Sequence, residues 1–102
     1  MNERITALLR FYDAGIAANG VEVHQWENPI TKRERLEHLR WMIAQMLLTP
    51  EEAATPQNAV PGSEWSDRKV NRWLGFIQGT LQAEGMVSIP MLRDQSRDLY
   101  QE

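Results

Sequence analysis

Cysteine is absent from the chain, which removes a disulfide framework, thiolate metal sites and a cysteine nucleophile, and which a reducing cytoplasm permits. Long hydrophobic runs are missing as well. The longest uninterrupted apolar stretches are three or four residues, and Met1, Asn2, Glu3 and Arg4 lead into an amphipathic pattern, not into the core of a signal peptide. Neither a membrane segment nor an export segment is therefore expected, and the expected location is the cytoplasm. A surplus of positive charge is also lacking: 11 Lys plus Arg stand against 14 Asp plus Glu, a net charge of −3, and the sequence pI is near 5.4. Direct nucleic-acid binding driven by the phosphate backbone is disfavoured on that balance. What is present is a chain of 102 residues, 42% of them apolar, enough for one domain around one modest core. Ordering a chain of this length costs roughly 150 kcal/mol of conformational entropy, so most of its apolar groups must be buried, in the monomer or in an oligomer.

Ile5, Leu9, Tyr12 and Ile16 recur at alternating spacings of four and three, with Leu8 alongside. At about 100° per residue this gathers them on one stripe and predicts a first helix over residues 3–18. Asn2 is its cap candidate, Glu3 suits the positive end of the dipole, and Asn19-Gly20 supplies a left-handed stop. Residues 20–30 read as a connector, because Asn28-Pro29 breaks the short extended pattern of Val21, Val23 and Trp26 and no second strand pattern pairs with it. Thr31 and Glu34 form a capping box that starts a second helix. Its stripe is Leu36, Leu39, Ile43, Met46 and Leu47, and its end falls near Leu48, before Pro50.

Thr49 to Glu52 reads as a short capped turn, and Ala54 to Gly62, rich in turn residues without periodicity, as a surface loop. A third helix is expected from Ser63 or Ser66 to Glu84, stopped by Gly85, with a seam of Val70, Leu74, Ile77 and Leu81. Phe76 projects roughly 130° away from that seam, beside Arg72, Gly79, Thr80 and Ala83. Gly75 and Gly79 form a small-xxx-small pair that could admit another backbone at close range. Ser88 caps a fourth helix, with Pro90 tolerated in its first turn and Ile89, Leu92 and Leu99 facing inward.

The run Asn71-Arg72-Trp73-Leu74-Gly75-Phe76-Ile77-Gln78-Gly79, then Gly85, then Ser88-Ile89-Pro90-Met91-Leu92-Arg93 through Arg97, carries a recognisable pattern. It resembles small proteins encoded by tailed bacteriophages and prophages, in which such an aromatic, glycine-bearing helix precedes a Ser-Ile segment with spaced arginines. Asn2 to Ile5 and Tyr12 to Gly20 are similar to the front of these proteins, so the resemblance covers roughly half the chain. It implies a phage-encoded accessory protein acting in the bacterial cytoplasm and transfers no catalytic residues.

Tested for chemistry, the chain offers little. Glu34 and His38 sit one helical turn apart, and His24 could complete a metal site only if the connector folded back over the second helix; a salt-bridged, solvated helix face explains the same residues. No metal and no cofactor is expected. No nucleophile elbow surrounds any serine, and the glycines at 75 and 79 lie inside a helical pattern, not in a phosphate loop. The chain is not expected to be an enzyme.

Four tryptophans are many for this length, and aromatic residues are over-represented among binding hot spots. Trp73 reads as packing. Trp41 points more than about 120° from the core stripe of the second helix and shares that outer face with Leu48, Glu34 and His38. Such a second stripe is covered by the connector, by another protomer or by a target protein. Arg68, Lys69 and Arg72 cluster at the start of the third helix and could bind a phosphate or a nucleotide.

These observations predict an all-α fold, a compact bundle of three long helices and a short C-terminal one, in a single domain over residues 1–102. The expected function is that of a non-enzymatic phage-type accessory protein that binds a bacterial host protein or defence complex and inhibits or redirects it. Trp41, Leu48, His38, Phe76 and Arg72 are the candidate partner-binding residues. A homodimer packing the Phe76/Gly79/Ala83 face is expected to bury what a three-helix monomer leaves open. The alternative is an oligomeric module that binds a nucleotide or other phosphate ligand through Arg68, Lys69 and Arg72.

Overall fold

The computed structural model describes residues 3–48 and 67–100. Helix α1 spans Glu3–Ala17, α2 Lys32–Met46, α3 Asp67–Ala83 and α4 Ile89–Tyr100. Four helices and no strand make up the regular structure of the described residues, and none of these helices is long and apolar enough to cross a membrane. The Asn2 cap, the Thr49–Glu52 turn, the Ala54–Gly62 loop and the start of the third helix at Ser63 or Ser66 lie outside the described residues, as do the side chains of Ile89 and Leu99.

The capping box forms as read. The Glu34 amide donates to Thr31 Oγ1 at 3.1 Å, and the Glu34 carboxylate accepts from the Thr31 amide at 3.0 Å and from the Ile30 amide at 3.0 Å. Helix α2 ends one residue before the expected stripe does: Leu47 is its C-cap and is partly buried, not a core position. Gly20 and Gly85 both take positive φ, 76° and 75°, the left-handed geometry that closes a helix without a Cβ penalty. At Gly85 the pattern is complete. Its amide bonds to Gln82 O at 3.0 Å and the Met86 amide to Leu81 O at 2.8 Å, which satisfies carbonyls that the end of α3 would otherwise leave orphaned. Ser88 starts α4, its Oγ accepting from the Met91 amide at 3.3 Å.

The core lies where the stripes converge. Helix α2 packs against both α1 and α3, and α1 packs against α4. Leu9, Ile16, Leu39, Ile43 and Ile77 are wholly excluded from solvent, with Leu74 and Leu81 nearly so, each burial stabilising the fold by about 1.5–3 kcal/mol. Having neighbours on two sides widens the buried arc of α2 to include Met42, which the stripe taken from the sequence omits.

Polar side chains tie the layers at specific points. Arg40 grips Asp13 with Nε to Oδ1 at 2.8 Å and Nη2 to Oδ2 at 3.1 Å, and donates through Nη1 to Val21 O at 2.8 Å, which joins α2, α1 and the connector at one guanidinium. Arg35 Nε meets Glu84 Oε1 at 2.7 Å, linking α2 to the end of α3. The buried Tyr12 hydroxyl of α1 accepts from Gln78 Nε2 of α3 at 3.1 Å and donates to Gln95 Oε1 of α4.

Candidate functional site

The connector between α1 and α2 folds back across α2 and fixes one wall of the site. His24 donates its amide to Glu37 O at 3.3 Å, the Trp26 amide donates to His38 Nδ1 at 3.0 Å and the Trp26 indole N–H donates to Glu37 Oε1 at 3.2 Å. His38 therefore carries its proton on Nε2 when it is neutral, because Nδ1 must present a lone pair to Trp26. Burial depresses the pKa of this imidazole below its ordinary range, since a half-covered cation loses hydration.

From His38 the aromatic groups continue across to α3. The Trp41 ring stacks on His38 with centroids 5.3 Å apart and planes 27° apart, and meets Trp73 of α3 at 6.3 Å. Lys69 Nζ sits 5.7 Å from the centre of the Trp73 ring, within the range of a cation–π contact. Beside this row opens a shallow cleft of about 310 Å³, lined by His38, Met42, Arg72, Trp73 and Phe76.

The structure thus brings together four of the five residues expected to bind a partner. His38, Arg72 and Phe76 line the cleft, and Trp41 backs it through the His38 stack. Phe76 is 57% exposed and Arg72 is exposed. Leu48 is not part of it: it follows the C-cap of α2, is partly buried, and does not line the cleft. The outer-face reading of Trp41 needs a correction of degree. Its ring is partly buried against the core, and its cover comes from Trp73 of α3, while Trp26 of the connector spends its polar groups on Glu37 and His38. Arg68 is exposed one turn before Arg72, but neither Arg68 nor Lys69 lines the cleft.

Met42 and Trp73 are the lining residues that sequence reasoning did not nominate. The signal was there: Met42 is one turn after His38, and Trp73 is one turn after Lys69 and adjacent to Arg72. The metal constellation does not assemble. Although the connector does fold back, the Glu34 carboxylate is held by the capping amides, His38 Nδ1 by Trp26, and the His24 ring stands edge-on to Trp26 at 4.6 Å. Among the described residues no three metal-ligating side chains converge.

The Phe76/Gly79/Ala83 face of α3 is uncovered by the other described residues. Phe76, Gly79 and Ala83 are exposed, and among the described residues nothing beyond the helix's own backbone lies within 4 Å of where a Cβ would stand on Gly75 or Gly79. The chain matches no family model, and no curated protein or solved structure is significantly similar to it.

Proposed function

We propose that this chain is a non-enzymatic binding protein of the phage accessory kind, acting in the bacterial cytoplasm by docking on and inhibiting a host protein or defence complex. The observation that carries the reading is the cleft between α2 and α3. It joins the exposed Phe76 ring and the partly buried Trp73 to an arginine, with the buried Met42 at its base, and aromatic residues, Met and Arg are enriched at protein interfaces. Trp41 is the support of this surface, because its stack on His38 and its tilted contact with Trp73 brace the wall against which a partner packs. The sequence resemblance supplies the setting.

The test is capture from bacterial lysate with the wild-type chain and with Phe76→Ser, an exposed position at which the fold has little to lose. A protein retained by the wild type and lost by Phe76→Ser, whose activity the wild-type chain reduces in a purified assay, supports the proposal. Retention that ignores Phe76→Ser overturns the assignment of this face. The phosphate-ligand alternative draws on Arg72 standing beside aromatic rings, and a nucleotide panel that raises the melting temperature in an Arg72-dependent way would favour it.

A further inference from the structure

Helix α3 has an unusual distribution of charge. After Asp67, its first described residue, it carries Arg68, Lys69 and Arg72 and no further Asp or Glu through Ala83, within a chain whose net charge is −3. The arginines of α2 are answered internally: Arg33 by Glu37, Arg35 by Glu84 and Arg40 by Asp13. Arg68 and Arg72 are both exposed and have no ion-pair partner among the described residues.

Positions 68, 72 and 76 follow one another at intervals of four, so both arginines and Phe76 share one exposed face of the helix. The cleft begins where the cationic part of that face gives way to the apolar part, with Arg72 and Phe76 both in its lining. None of its described lining residues carries a carboxylate.

We infer that the occupant of this face is an acidic amphipathic segment of a partner protein, one apolar side chain seated between Met42, Trp73 and Phe76 and a carboxylate one turn away on Arg72 and Arg68. This rests on the protein-binding reading given above and adds the chemistry of the partner. A second copy of the chain is the poorer occupant. An isologous contact presents the same patch on both sides, and this patch holds no described carboxylate to answer its own arginines. Arginine matches a carboxylate with two parallel N–H donors, which gives direction as well as attraction.

The experiment pans the full chain against a displayed library of helical peptides with no bias in charge. The expected result is enrichment of sequences with Asp or Glu within one turn of a large apolar residue. Their binding should fall by about tenfold or more in the Arg68→Glu/Arg72→Glu variant and recover when the peptide's acid is changed to Lys. Both positions are exposed, and an unchanged melting temperature checks that the variant is folded. Enriched peptides without acids, acidic peptides indifferent to the charge reversal, stronger competition by inorganic phosphate or a single-stranded oligonucleotide than by the acidic peptide, or a dimer in sedimentation that Phe76→Ser dissolves would each overturn the inference. Binders that need Phe76 but not the arginines would overturn the acidic partner and leave the protein-binding reading standing. Absence of any Phe76-dependent binder would overturn both.

Discussion

The His38 ring faces in two directions, holding the connector through Nδ1 and forming the cleft with its face. Protonation would turn Nδ1 from acceptor into donor, opposite the Trp26 N–H that already donates to it, and the bond would be lost. Because burial lowers its folded-state pKa below the ordinary 6.5, the unfolded chain takes up this proton first as pH falls. The His38 contribution to stability is therefore complete above about 6.5 and is lost as the pH drops through that value toward the lower folded-state pKa. Melting curves at pH 7.5 and at pH 5 should show the wild type losing more than His38→Gln, and equal losses would mean that the Trp26 bond does not report on His38. Trp41 bears on stability as well as on binding. With its ring against Trp73 and His38, Trp41→Ala is expected to cost about 1–3 kcal/mol in denaturant unfolding, less than a fully buried tryptophan because part of its surface stays open to solvent. No measurable cost would return Trp41 to the purely external role that its helical position suggests.

At the scale of the elements, α3 presents two faces with opposite expectations. Leu81 is 1% exposed on the inner face, so Leu81→Ala should leave a cavity and lower the unfolding free energy by about 2–5 kcal/mol. On the outer face a side chain at Gly79 would meet none of the described residues outside its own helix. Gly79→Leu in an isolated chain relieves the backbone entropy of a helical glycine and should raise stability by up to about 1 kcal/mol. If it instead lowers the melting point in a concentration-dependent way, another protomer sits on that face and the homodimer expected from the sequence exists.

The elements themselves were legible because their signals are local. Thr31 with Glu34, Asn19 with Gly20, Gly85 and Ser88 each act within one turn, and the seam from Val70 to Leu81 obeys a period that tertiary contacts did not have to correct. Other features depend on which helices become neighbours, and no local pattern encodes that. The Arg40–Asp13 clasp, the Tyr12 hydroxyl between Gln78 and Gln95, and the burial of Met42 all join residues from different elements. The site was half legible for the same reason: helical angles showed that Trp41, Phe76 and Arg72 leave the core stripes, but not that α2 and α3 bring them to one cleft.

For the whole molecule, α2 is the shared support, with α1 on one flank, α3 on the other and the connector laid across it. A change that loosened α3 from α2 would disperse the cleft even if every helix survived. The Trp41–Trp73 pair offers a direct readout of that event. Two indoles with centroids 6.3 Å apart and planes inclined by 37° are close enough for their electronic transitions to couple, so the folded protein should show an exciton couplet in far-ultraviolet circular dichroism that neither Trp41→Phe nor Trp73→Phe retains. The couplet depends on the distance and angle between the two helices, whereas the helical signal depends on each helix alone. Followed together on heating, the two bands separate undocking of α3 from melting, and a bound partner that clamps the cleft would hold the couplet to a higher temperature. The indole pair is in this sense a built-in optical gauge, ready for use without any attached label.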